Sequence, residues 1–271
     1  VNNNPFEYWI THEDDAYNKL MEDVQSFIDQ PGERDVPVSQ VFSDEMWTEL
    51  KALMVAQGWD VEATEALWAS DFSKRKIISG FMKDAALGEK RFASMPDRVT
   101  NTINSLDQGK VNRPTVISCF SGDMSSMAAW WKEWKSFMFE KKLTVAGKGG
   151  ASNSTTPAAM LPPIKRAKYP AVTEAEEAIS VPLQVLCIAI FDAILMHIVS
   201  ACSPDGTWLR LKQQMLEALY AKKDGRLLQI MTQTYADADV IFLQEVSGDF
   251  IRKAKRNELS TRYLIVHCAS L

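Results

Sequence analysis

The stretch from 181 to 202 constrains the fold most, because it is the most apolar part of the chain and is interrupted mainly by Gln184, Asp192 and His197. About 20 apolar residues are enough to span a bilayer. On insertion scales an ionised aspartate near the centre costs about 2.5 to 3.5 kcal/mol, which several leucines and isoleucines offset. The same composition suits a strand buried in a sheet. The stretch is therefore either a membrane-spanning helix or a core strand.

The order of the next segments in the chain favours a strand at 185–191. A Ser-Pro-Asp-Gly turn at 203–206 and two amphipathic helical stretches lead to a second apolar run at 239–246. That order is typical of a sheet strand, a crossover and a neighbouring strand. A third strand is predicted around His267, where a lone histidine is more often structural than catalytic.

The run at 239–246 is the part of the sequence that suggests a chemistry. It reads Asp-Val-Ile-Phe-Leu-Gln-Glu-Val, so that Glu245 stands where a buried strand would emerge from the core. A strand that delivers a ligand to its carboxyl end fits this pattern. A strand whose last residues simply meet water fits it as well.

Residues 239–246 resemble the second-strand motif of the endonuclease/exonuclease/phosphatase superfamily, the magnesium-dependent phosphodiesterases and phosphatases with a two-sheet α/β sandwich. In that family the glutamate of the Gln-Glu pair binds the metal, which implies this role for Glu245. The asparagine that ends the first family strand corresponds best to Asp192, where an acid replaces the amide. Only 26 residues follow Glu245, and they contain none of the family's catalytic histidine, Asp-x-Asn or Asp-His motifs. The resemblance therefore implies an incomplete relative.

Two carboxylates at one sheet edge would suit Mg²⁺, which accepts hard oxygen ligands and a substrate phosphate. Hydrolysis also requires a base that orients water and donors for the developing charge, and the chain shows no obvious set. We therefore expect weak magnesium binding by Glu245 and Asp192, no catalytic residue and no turnover. A phosphate-containing substrate is expected only if the sheet is completed.

Charge and cysteine usage disfavour two classes of protein, those that bind nucleic acid through an overall basic charge and those that hold zinc. The net charge of −5 and the pI near 5.4 leave no whole-protein basic field for nucleic acid. Four scattered cysteines and three histidines lack metal-site spacing, which favours reduced thiols over a zinc site. The chain begins with Val1, which is compatible with a processed intracellular or organellar protein, and the compartment stays open.

The chain before residue 144 has helical periodicity. Ser43 is placed to cap one helix, and residues 121–143 carry an aromatic stripe that includes Trp130, Trp131 and Trp134. Such a stripe is more often core than a contact surface, because large aromatics dominate burial in small helical domains. The three tryptophans are nevertheless the candidate partner-binding residues.

A change of composition divides the chain into three predicted parts. Residues 144–171 are rich in Gly, Ser, Thr, Ala and Pro, which predicts a flexible linker. The parts are a helical domain at 1–143 with a Trp-rich last helix, the linker at 144–171, and a partial α/β segment at 172–271 that resembles the start of the two-sheet nuclease-like sandwich. An all-α fold with one membrane-spanning helix at 181–202 is the alternative.

The functional hypothesis depends on the incomplete sheet, which would expose unpaired strand edges. We expect a non-catalytic binding or scaffold component that meets a partner protein or closes its sheet by self-association. The alternative is a non-enzymatic subunit of a larger assembly. It would contact partners through the Trp-rich helix and a membrane through 181–202.

Overall fold

The computed structural model describes residues 14–147 and 151–267. These residues are mostly helical and include two small antiparallel sheets, which confirms the mainly α fold class. They divide into two compact units, the large unit at 14–209 and the small unit at 210–267. The predicted division at 144–171 is therefore replaced by one at 209 and 210.

The large unit consists of helices around a central helix, α8, with two hairpins. Its helices and strands, in chain order, are α1 Asp15–Asp29, α2 Asp44–Ala56, α3 Glu62–Ser70, α4 Ala85–Lys90, α5 Ser94–Thr100, β1 Thr102–Ser105, β2 Gly109–Asn112, α6 Met127–Lys135, β3 Leu143–Ala146, β4 Ser152–Thr155, α7 Glu174–Ala178 and α8 Ser180–Cys202. Short 3-10 turns lie at Gly32–Arg34, Val38–Gln40, Phe72–Lys74 and Ala158–Met160. Two π-helical turns lie at Ile77–Met82 and Ser136–Glu140.

Several helices begin where the sequence places a capping side chain. The Ser43 hydroxyl accepts a hydrogen bond from the Met46 backbone N–H, as predicted, and Ser126 does the same for Ala129 at the start of α6. Each bond satisfies one backbone donor that has no partner within the helix.

The stretch at 181–202 is helix α8 and not a strand, so the strand predicted at 185–191 is wrong. Sixteen of the 23 helix residues are buried, and α1, α5, α6 and α7 contact it. A helix that is buried on every face carries no 3.6-residue periodicity, and this is why its sequence resembles that of a core strand. Helix α8 is also long and apolar enough to cross a membrane, but neighbouring helices already cover its apolar faces.

Residues 144–171 do not form the predicted flexible linker where the structure describes them. Strands β3 and β4 pair in antiparallel register, with Leu143 opposite Thr155. Ala158, Leu161 and Ile164 are buried. A few well-spaced apolar residues therefore anchor a segment whose composition suggests disorder, because each one gains burial against the large unit.

The small unit is helical around a compact apolar core. It contains most of α9 Thr207–Leu216, which starts in the large unit, followed by α10 Lys223–Gln229, α11 Gly248–Ala254 and α12 Leu259–Arg262. Two π-helical turns lie at Glu217–Ala221 and Ile230–Thr234. Its core side chains are Leu228, Met231, Phe250, Ala254 and Leu259.

The strands predicted at 239–246 and around His267 are not formed in the described part of the small unit. Both segments are non-helical, and no strand pairs with either of them. A strand needs a neighbour for its ladder hydrogen bonds, and α8, which was predicted to supply one, is helical.

Candidate functional site

Asp192 lies at the centre of a buried charge cluster in the large unit. The Arg113 guanidinium donates from Nε to Asp192 Oδ2 at 2.7 Å and from Nη2 to Oδ1 at 3.1 Å. The indole N–H of Trp134 donates to Oδ2 at 2.8 Å. The side chains of Asp192 and Arg113 are both fully buried. A buried carboxylate requires this kind of partner set, because desolvation of an unpaired charge is costly.

Arg113 is held by further acceptors from α5. Its Nη2 donates to Asp97 Oδ1 at 2.6 Å, and its Nη1 donates to the Thr100 hydroxyl at 2.7 Å. Burial lowers the pKa of Arg113, but the Asp192 and Asp97 carboxylates outweigh burial and raise it. The guanidinium therefore stays charged. It connects the chain directly after β2, where Arg113 lies, to Asp192 of α8 and to α5.

This geometry corrects the role predicted for Asp192. Both of its carboxylate oxygens accept hydrogen bonds from side chains, and none of its surface reaches solvent. A Mg²⁺ site needs open oxygen ligands and room for waters. Asp192 is instead the counterion of Arg113.

The three candidate partner-binding tryptophans are core residues, which corrects their predicted role. Trp130 and Trp134 are fully buried and Trp131 is 6% exposed. The Trp130 N–H donates to the Pro114 carbonyl at 2.9 Å, and the Trp131 N–H donates to the Glu49 carboxylate at 2.8 Å. Trp131 and Trp134 stack with centroids 5.2 Å apart. Their faces are occupied by the protein itself, and a partner cannot reach them.

Glu245 lies in the small unit, in the exposed loop before α11. Its φ of 53° falls in the left-handed region, where a non-glycine residue is uncommon. Asp192 and Glu245 belong to different compact units, and Asp192 is already paired within its own. Among residues 14–147 and 151–267, no three or more His, Cys, Asp or Glu side chains form a group able to hold a metal. Magnesium binding by Glu245 stays a prediction.

The small unit carries exposed apolar side chains on the two segments that were predicted as strands. Ile241 and Ile265 pack against the core of this unit. Their neighbours Val240, Phe242, Leu264 and Val266 are 63%, 90%, 91% and 81% exposed. We call these four side chains the apolar surface. Alternation of core-facing and solvent-facing residues with a period of two is the pattern of an extended chain with one uncovered face.

The two segments are joined at one end and lie next to basic residues. The Tyr263 hydroxyl donates to the Ala238 carbonyl, which connects the start of one segment to the start of the other. The Lys255 amine lies 3.0 Å from His267 Nε2, so the basic end of α11 adjoins the second segment. Residues 210–271 contain ten Lys and Arg against seven Asp and Glu, although the whole chain has a net charge of −5. Cations therefore adjoin the second segment, whereas the exposed Asp239 and Glu245 flank the first.

The described architecture defines the class of the large unit, a mainly α domain built around one buried apolar helix. The chain belongs to the family described as a domain of unknown function, DUF8234, whose family model matches residues 35–213. No curated protein and no solved structure matches the chain significantly. The family match ends before residue 239, so it neither supports nor opposes the phosphodiesterase resemblance of 239–246.

Arg113 is the buried partner of Asp192 that the sequence did not reveal. It lies in a Lys-Val-Asn-Arg-Pro stretch without periodicity or motif. The one signal for it was Asp192 itself, because one carboxylate in a long apolar run requires a buried cation or donor. That signal establishes the need for a partner, but it does not say where in the chain the partner lies.

Proposed function

We propose that the chain is a non-catalytic, protein-binding component whose small unit binds an extended, acidic segment of a partner protein. The apolar surface is the observation that carries this proposal. Large exposed apolar patches often mark interaction sites, and these side chains lie on two segments that the Tyr263–Ala238 hydrogen bond joins at one end. Val240, Phe242, Leu264 and Val266 are all more than half exposed.

The backbone of the apolar surface favours a protein segment over a lipid surface. Within the described residues, no backbone-to-backbone hydrogen bond involves 240–243 or 264–266. In hydrocarbon these N–H and C=O groups would stay unsatisfied at a cost of several kcal/mol each. An added strand would satisfy them with its own backbone, and its alternate side chains would cover the apolar surface.

The cations beside the second segment favour an acidic partner there. Lys255 adjoins the second segment, and the neighbouring residue Arg256 adds a second cation at the end of α11. Complementary charge raises the association rate and selects against basic segments. Apolar anchors with flanking acidic residues therefore match both properties of this surface.

To test this proposal, a displayed library of ten-residue peptides is selected for binding to the purified chain. The affinity of the chain for one selected peptide, made synthetically, is then measured. We expect selected peptides to alternate apolar and acidic residues. The variant Phe242→Asp/Leu264→Asp should weaken binding by at least about tenfold, since each apolar side chain contributes about 1.5 to 3 kcal/mol when buried.

Leu106→Asp is the matched control, because Leu106 is 63% exposed but lies in the large unit. It should leave the affinity unchanged. Selection of no consensus, or equal affinity in the double variant, would overturn the proposal. Self-association that is lost in the double variant would assign the surface to a second copy of the chain. Binding to anionic vesicles without peptide selection would assign it to a membrane.

A further inference from the structure

A pocket in the large unit is big enough to hold a small molecule. It has a volume of about 360 Å³ and lies between hairpin β1–β2, the loop after Arg113 and the end of α6. Its volume falls in the range of known ligand pockets, about 300 to 1,000 Å³. None of the buried charge cluster at Asp192 lines it, so it is a separate feature of the fold.

The charged groups of the pocket give it a cationic balance. Lys110 of β2 and Lys141, which directly follows the π-helical turn, both line it, whereas Glu133 of α6 contributes one carboxylate. Within the described residues, neither lysine amine takes part in a salt bridge or side-chain hydrogen bond. In a chain with a net charge of −5, two such cations around one concavity favour an anionic ligand.

Two aromatic rings supply the apolar wall. Phe137 belongs to the π-helical turn Ser136–Glu140, and Phe120 comes from the loop. Insertion of such a turn at the end of an α-helix re-aims side chains, and π-helical turns are frequent at functional sites. Phe137 is 5% exposed, so Phe120 supplies most of the accessible ring surface beside the cations.

Gly122 fixes the position of the Phe120 ring. A Cβ atom at residue 122 would collide with Phe120 Cζ and would lie 2.8 Å from Cε1, far inside van der Waals contact. The ring therefore lies directly against the glycine backbone, and any side chain at 122 would displace it. This close approach provides a way to change the pocket wall without altering its charges.

We propose that this pocket binds a small aromatic anion, with Lys110 and Lys141 pairing with its phosphate or carboxylate and Phe120 and Phe137 contacting its ring. The proposal does not depend on partner binding by the small unit. Charge-assisted hydrogen bonds from lysine to phosphate or carboxylate are strong, and the ring contacts orient the ligand.

The test uses ligand-observed NMR on the full chain with phenyl phosphate, benzoate and benzylamine as probes. At about ten heavy atoms each, the anions should bind with a Kd in the low millimolar range. Benzylamine, which has the same ring and the opposite charge, should not bind. A preference for phenyl phosphate or for benzoate would name the anionic group of the natural ligand.

Substitutions distinguish binding in the pocket from non-specific binding elsewhere on the protein. Lys110→Met/Lys141→Met should weaken anion binding at least fivefold, and Gly122→Ala should weaken it while the lysines remain. Lys132→Met is the control, because Lys132 is an exposed residue of α6 outside the pocket lining. Thermal unfolding of each variant verifies that the fold is intact. Absence of anion binding at ten millimolar, equal binding of benzylamine, or unchanged affinity in the double variant would overturn the proposal.

Discussion

Removal of either member of the Arg113–Asp192 pair should destabilise the large unit strongly, whereas joint replacement should restore much of the loss. Asp192→Leu removes two charge-assisted hydrogen bonds from Arg113 and one from the Trp134 N–H. The guanidinium then stays fully buried with Asp97 as its remaining carboxylate partner, and the Asp97 side chain is 29% exposed. Truncation of one member of a buried pair typically costs about 3 to 5 kcal/mol.

Arg113→Met instead leaves the Asp192 carboxyl buried without its cation. Burial raises the pKa of the Asp192 carboxyl, and the Arg113 charge opposes that effect. Without Arg113 the carboxyl should therefore take up a proton, and the variant should lose less stability at acidic than at neutral pH. The double variant Arg113→Met/Asp192→Leu leaves neither charge uncompensated. It should be more stable than the sum of the single effects predicts, by about 2 to 4 kcal/mol.

The assay is urea unfolding followed by tryptophan fluorescence. All eight tryptophans precede residue 210, so the signal reports the large unit. Asp23→Asn is the control, since it breaks an exposed ion pair with Lys19 and should leave the free energy of unfolding nearly unchanged. Additive single effects, or single variants as stable as the control, would refute the role of this pair as a coupled buried unit.

Two further predictions concern pH and metal. Burial lowers the pKa of His197, whose ring packs edge-on against Phe27. The unfolded chain therefore binds a proton at this residue more readily than the folded chain, so the free energy of unfolding should fall as pH drops from about 7 to about 5. The thermal midpoint of His197→Gln should vary less over that range. The same pH dependence in the variant and the wild-type chain would contradict this assignment. Calorimetry should detect weak Mg²⁺ binding that is lost in Glu245→Gln and kept in Asp192→Asn. Heat of Mg²⁺ binding that persists in Glu245→Gln, or its absence in the wild-type chain, would contradict the metal prediction.

Local signals in the sequence correctly predicted several features. Ser43 caps α2, as its position before an acidic first turn indicates. The helical spacing of Trp130, Trp131 and Trp134 favoured a core role, and the structure buries all three. These features depend on residues within a few positions of one another, so a local pattern carries enough information to identify them.

The candidate surface was not predicted from the sequence. The expectation was of unpaired strand edges, whereas the structure shows exposed apolar side chains on the non-helical segments at 240–242 and 264–266. The strands themselves do not form. Their backbone groups lack a neighbouring strand, and neither segment can supply that neighbour from its own sequence.

The sequence by itself determined that residues 181–202 must be withdrawn from water, because their side chains are almost all apolar, and that Asp192 within them needs a partner. Only the tertiary structure decided that this stretch is a helix and that Arg113 is the partner. An apolar run that is covered on every side has no periodicity to distinguish helix from strand. The Arg113–Asp192 contact joins residues 79 positions apart, and packing of α5 and α6 against α8 accompanies it.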